Sequence, residues 1–175
     1  MSAPTPQRAP FDLGPLPAEA RMTTLDEAVL RAAPDIMFDV VRDVARWPER
    51  LAHYRFVRFR HTDGEGGGIV EMAANRPFGP LNWPTWWLSE MQVLSDRRAI
   101  RFRHIGGITK GMDVEWTVDS HRDGTQVRLL HVWNGPAWPI IGTAAATVVI
   151  GPVFVHGIAS RTLAGLGRVA EEASR

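Results

Sequence analysis

From Tyr54 to Trp133 the chain alternates apolar and polar residues with a period of two, in six runs separated by short turn segments. Side chains on an extended strand point to opposite faces in turn, so such runs demand a sheet with one buried and one wet face. The runs are "YRFVRFRHT", "IVEMAANR", "TWWLSEMQVLS", "AIRFRHI", "MDVEWTVDS" and "TQVRLLHVW". "DGEGGG" reads as a flexible turn, and "DRR", "GGITKG" and "HRDG" read as tight antiparallel hairpin linkers. "DGEGGG" leads into a strand rather than a helix, which excludes a nucleotide cradle.

The flanks complete an α+β pattern. Residues 23–32 predict a first strand, and "APDIMFDVVRDVARWPERL" follows it. Pro34 suits a first helical turn, Ile36, Phe38, Val40, Val41 and Val44 form an approximate helical stripe, and Pro48 breaks the run before a short turn at Glu49–Leu51. At the other end Val155, Ile158, Ala159, Thr162, Leu163, Leu166, Val169 and Ala170 share one helical face. A helix running from Pro152 would be about 33 Å long at 1.5 Å per residue. The expected architecture is a curved antiparallel sheet of about seven strands wrapped around a long C-terminal helix, with two short helices after the first strand. A cavity can remain between sheet and helix.

One domain over 23–175 accounts for this order, preceded by a flexible Pro- and Ala-rich leader over 1–22 that lacks the apolar core of a signal peptide. A net charge of +1 with scattered basic residues excludes the electrostatic footprint of a nucleic-acid binder. The absence of cysteine removes disulfides, thiolate metal sites and a Cys nucleophile, and fits a cytoplasmic location.

Alternation assigns the inward set. Trp87, Ser89, Met91 and Val93 share a face, as do Ile100, Phe102 and His104; Met112, Val114, Trp116 and Val118; and Val127, Leu129, His131 and Trp133. Glu90, Gln92, Arg101, Arg103, Asp113, Glu115, Gln126 and Arg128 are expected in water, and Met72, Ala74 and Arg76 lie opposite Glu71. An aromatic and aliphatic concave face with a few polar groups is the usual make-up of a small-molecule site.

Three segments carry a family resemblance: "APDIMFDVVRDVARWPERL", the sheet from "LSEMQVLSDRRAIRFRHI" to "TQVRLLHVW", and the final "FVHGIASRTLAGLGRVAEEA". Together they resemble the START-like (SRPBCC) superfamily and its polyketide cyclase/dehydrase, or aromatase/cyclase, members over about residues 24–173. The resemblance implies a helix-grip fold whose cavity holds a hydrophobic polyketide-like or aromatic molecule, tethered in such cyclases to an acyl carrier protein. It implies polar residues that orient carbonyls for aldol cyclisation and dehydration, here His131, His104 and Arg76. Other members bind coenzyme Q or lipids without chemistry, so a non-catalytic lipid or quinone carrier is the alternative. No cofactor is implied.

Each candidate has a plainer reading beside the functional one. His104 and His131 serve either as general acid and base or as wall imidazoles bonded to a neighbour. Arg76 either grips a carbonyl or carboxylate or ends a strand in water. Trp87, Trp116 and Trp133 either stack on a flat ligand or fill the core, with Ser89, Met91, Phe102 and Leu129 between them. Trp47 reads as part of the helix break. A metal site from His104, His131 and His156 has no close-spaced pair or inward carboxylate to support it.

The stretch from Asn134 to Val155 has no ionisable side chain, yet Pro136, Pro139 and Pro152 with Gly135, Gly142 and Gly151 cut it into pieces. A membrane span needs about 20 continuous apolar residues, so no integral membrane segment is expected. The stretch reads as a cover at the cavity entrance, bringing Trp138, Phe154 and His156 to the ligand, or as a shallow peripheral membrane contact. Deleting residues 137–149 should leave the sheet folded by circular dichroism and change ligand uptake. Loss of the whole fold would mark them as core.

Overall fold

The computed structural model describes residues 12–78, 81–135 and 156–175, without the side chains of 76–83 and 156. Its elements are β1 (Met22–Leu30), α1 (Pro34–Arg42), a 3-10 turn (Val44–Arg46), α2 (Trp47–Arg50), β2 (Tyr54–Thr62), β3 (Gly68–Phe78), β4 (Leu81–Leu94), a second 3-10 turn (Ser95–Arg97), β5 (Ala99–Gly107), β6 (Asp113–His121), β7 (Gly124–Trp133) and α3 (His156–Ala173). Seven strands form one sheet in the order β1-β7-β6-β5-β4-β3-β2, every pair antiparallel. Sequential strands are therefore neighbours, apart from β1, which crosses to pair with β7. This is the helix-grip arrangement expected from the sequence, and β4 begins four residues earlier than its alternation suggests.

α1 starts where Pro34 stands at its first turn, and Met37 N–H donates to the Ala33 carbonyl at 3.0 Å. Its buried side is Met37, Phe38, Val40 and Val41. α3, 18 residues long, lays Ile158, Ala159, Thr162, Leu163, Leu166 and Ala170 against the sheet and α1. Two glycines set how closely it lies. A Cβ on Gly165 would strike the Leu51 side chain and one on Gly167 the Leu30 side chain, so the helix backbone sits at a distance other residues would enlarge.

The sheet is bent by bulges, each of which increases local twist. β2 carries two irregularities, around Arg55 and Arg60, and β5 carries one at Ile105, opposite Leu88 and Ser89 and directly after His104. The Arg55 bulge interrupts strict alternation, so Tyr54 and Val57 are both buried although they lie three apart.

The concave face follows parity closely: Met72, Ala74, Trp87, Ser89, Met91, Ile100, Phe102, His104, Met112, Val114, Trp116, Val118, Val127, Leu129 and Trp133 are all buried. The convex face departs from expectation most at two charges, beside a third buried charge, Glu71. Alternation alone puts Arg101 and Asp113 in water, yet each is only 4% exposed. Arg101 donates to the Gly14 carbonyl and lies 3.4 Å from Glu115 and 3.7 Å from Asp113, while Arg103 pairs with Asp113 at 2.9 Å. The N-terminal segment covers them: Leu13 is buried and its N–H donates to Gln92 Oε1 at 3.2 Å. Ion pairing offsets part of the desolvation that burial imposes on these charges.

Gly107 closes β5 at φ 90°, and a Cβ there would collide with the Trp86 backbone carbonyl. Gly64, in the β2–β3 turn at φ 84°, has no atom within 4 Å of its Cβ position. Gly64→Ala should therefore lose roughly 1 kcal/mol, the left-handed penalty alone. Gly107→Ala should lose about 3 kcal/mol or more in urea unfolding, because strain and collision add.

Candidate functional site

A cavity lies between the concave face and α3. It holds about 550 Å³ of atom-free space, its open side included. The part open to the centre of a water-sized sphere is about 60 Å³, smaller than the roughly 300–1,000 Å³ of ligand pockets. Among the described residues its walls are Trp47 from α2, Tyr54 from β2, Met72 from β3, Trp87 from β4, Phe102 and His104 from β5, Val114 and Trp116 from β6, Leu129 and His131 from β7, Met112 before β6, and Ile158, Ala159 and Thr162 from α3.

The rings on these walls are continuous. Trp116, Trp47, Tyr54, Trp87 and His104 follow one another with centroid separations of 5.7, 5.3, 6.1 and 6.1 Å. The first three contacts are edge-to-face, the arrangement ring quadrupoles favour, and His104 is stacked on Trp87 at 24°. Such a wall offers flat apolar surface at little conformational cost. The Trp47 indole N–H is buried without a hydrogen-bond partner among the described residues.

Three imidazoles are tied to threonines at or beside this wall. His104 Nδ1 lies 2.7 Å from Thr109 Oγ1, a buried bond that fixes the ring plane beside Trp87. His131 Nδ1 lies 3.4 Å from Thr24 Oγ1, its register partner on β1, in a longer contact. His53 Nε2 lies 2.9 Å from Thr162 Oγ1, which joins the start of β2 to α3. Burial, and secondarily the Arg161 guanidinium, pushes the His53 imidazole below the usual histidine value. The concave face also carries a buried carboxyl, Asp26 of β1, two residues along the strand from Thr24.

Six of the residues expected at the site meet at this cavity: Trp87, Phe102, His104, Trp116, Leu129 and His131. Three others are buried in the sheet without bordering it. Ser89 faces His104 in register, and its hydroxyl has no partner among the described residues. Met91 is fully buried, and Trp133 donates its indole N–H to the Lys110 carbonyl at 3.0 Å. Arg76 occupies β3 opposite Trp83, with its side chain outside the described residues. His156 opens α3, likewise without a described side chain, and Trp138 and Phe154 lie outside the described residues.

Sequence reasoning missed Trp47, Tyr54, His53 and Thr162 as site residues. Strict alternation groups Tyr54 with Phe56, Arg58 and Arg60, a set that reads as outward until the bulge separates them. Trp47 could have been found from its place beside a helix break that faces the sheet. No pattern signals His53, which belongs to no run of alternation. Among the described residues no group of three His, Asp or Glu side chains could hold a metal ion, and no helix is long and apolar enough to cross a membrane.

A family model described as polyketide cyclase / dehydrase and lipid transport matches residues 30–153. A search of curated protein sequences finds no significant match. Among solved structures, a protein of Thermus thermophilus superposes with a TM-score of 0.72 at 18% identity, over 88% of this chain and 100% of that one. The Zhui aromatase/cyclase from Streptomyces sp. R1128 gives 0.71 at 19% identity, over 88% and 96%. The major latex-like protein 151 of Panax ginseng gives 0.66 at 10% identity, over 87% and 97%. These likenesses show the fold.

His53 makes a pH signature measurable. Between the usual histidine value, about 6.5, and its own lowered one, the unfolded chain binds a proton here that the folded chain does not. This residue's contribution to stability is therefore intact above the usual value and is lost as pH falls through that window. In thermal melts across that range, His53→Gln should flatten the rise of Tm with pH relative to the wild type.

Proposed function

The chain belongs to the polyketide cyclase / dehydrase and lipid transport family, and from that premise we propose that its cavity binds a hydrophobic polyketide-like or aromatic molecule and promotes its cyclisation and dehydration. The observation that carries this reading is the pair of imidazoles, His104 and His131, on the wall of an otherwise aromatic and aliphatic cavity. Such a site can hold a flat substrate and move protons at a few fixed points.

In the proposed reaction a neutral imidazole takes the proton from a carbon next to a ketone. The resulting enolate forms a C–C bond to a second carbonyl carbon, whose oxygen takes a proton and becomes a hydroxyl. Loss of a further α-proton to the base, with protonation of that hydroxyl by the imidazolium, breaks the C–O bond and releases water. His131 and His104 are the assigned acid and base, and Arg76 is the proposed group that polarises the acceptor carbonyl. Thr109 holds the His104 ring so that little motion is needed before proton transfer. The Trp87 and Trp116 planes would keep the ring being formed flat. A substrate delivered on an acyl carrier protein and a cytoplasmic setting complete this reading.

A second reading, a non-catalytic lipid or quinone carrier, draws on the same bonds: His104 and His131 each contact a threonine, as wall histidines without a chemical task would. Replacing His104, His131 and Arg76 separately by Ala separates the two. For the enzyme, at least one histidine variant should lose about 100-fold or more of product formation while still binding the ligand that copurifies, identified by mass spectrometry. If product profile and binding survive in all three variants, the carrier reading stands and the catalytic one falls.

A further inference from the structure

We propose that His53 and Thr162 work as one unit on the α3 wall, in which the His53 ring holds the Thr162 hydroxyl ready for a single oxygen of the ligand and so selects keto or hydroxy aromatics over their hydrocarbon counterparts. The inference rests on reading the cavity as a binding site and extends it to a specificity pair outside the inward-facing histidines. α3 contributes three side chains to the cavity wall among the described residues, Ile158, Ala159 and Thr162, and Thr162 alone carries a polar atom. Thr162 borders the cavity and is 1% exposed, so its side chain is shielded from bulk water.

His53 does not itself border the cavity. It acts through Thr162, at 2.9 Å, and is a positioning residue. Its own place is well determined: the Asn75 N–H donates to its carbonyl at 2.8 Å, and its ring lies 4.9 Å from that of Tyr54. A hydroxyl has one proton and two lone pairs. When Nε2 carries no proton, Thr162 donates to it and turns its lone pairs to the ligand, where they accept from a phenol or enol. When Nε2 carries the proton, it donates to Thr162, whose own proton is released toward a ketone. Exchange between these tautomers needs a neutral ring. Burial and Arg161 on α3 favour that state; Tyr54 on β2 and Asn75 on β3 add no charge. The pair thus matches both the keto and the enol form of one ligand oxygen.

The probes are 2-naphthol and naphthalene, which differ by one hydroxyl, each measured by displacement of 1-anilinonaphthalene-8-sulfonate from the full chain. The wild type should prefer 2-naphthol. Thr162→Val should weaken 2-naphthol about fivefold to tenfold, the loss of one hydrogen bond, and leave naphthalene unchanged. Thr162→Ser should restore the preference, and His53→Ala should lower it by roughly threefold, less than full loss of that bond. An unchanged 2-naphthol affinity in Thr162→Val, or equal loss of both probes, would overturn the assignment. Should Thr162→Val fail to fold, His53→Ala decides, and an unaltered 2-naphthol-to-naphthalene ratio there refutes it. If neither probe displaces the dye from the wild type, the aromatic-binding reading itself fails, and the pair's role with it.

Discussion

The apolar seam between α3 and the concave face of the sheet is what the rest of the structure depends on. Leu163, Leu166 and Ala170 close one part of that seam completely. Full burial of one such Leu contributes about 1.5–3 kcal/mol, and the seam continues into α1 through Met37 and Val41. Gly165 and Gly167 bring the helix close to Leu51 and Leu30. Further toward the N-terminus of α3 the side chains become Ile158, Ala159 and Thr162, and here helix and sheet part around the cavity. Tight closure at one end and separation at the other both follow from which residues α3 presents turn by turn.

The sheet's curvature is the matching half of this arrangement. Bulges in β2 and β5 turn a pleated surface into one that wraps the helix, and one of them follows His104 directly. A bulge re-aims the side chains around it, so the strand bend and the imidazole's approach to Trp87 and Thr109 have a common origin. Two pairs of polar groups join elements at the site: β1 to β7 by Thr24 and His131, and the residue before β2 to α3 by His53 and Thr162. In a low-dielectric interior a polar group without a partner is costly, and these pairs satisfy that demand while leaving oxygen and nitrogen atoms beside the cavity.

On the opposite face, the N-terminal segment changes the electrostatics of the sheet. Arg101, Arg103, Asp113 and Glu115 alternate outward as their strands require, yet Leu13 and Gly14 cover part of the group. Burial pulls the Arg101 guanidinium below its usual value, against the upward pull of Glu115 and Asp113. A charge that reads as solvated from its own strand becomes internal when a distant segment lies over it. Local pattern contains no information about that segment.

Period two along β3 to β7, with a helical stripe after Pro34 and another at the C-terminus, was enough to determine the sheet, its antiparallel neighbours and most of its inward face. Those features depend on pleat and helix geometry, which are local. Trp87, Phe102, His104, Trp116, Leu129 and His131 were legible at the cavity for that reason. Tyr54 was hidden by a bulge, which shifts parity without leaving a mark in composition. His53 and Thr162 stand 109 residues apart and meet only because α3 crosses the end of the sheet near β2. Ser89, Met91 and Trp133 show the converse: correct parity placed them inside, and packing put core, not cavity, around them. Which buried atoms border empty space is decided by the distance between helix and sheet, and only tertiary packing sets that distance.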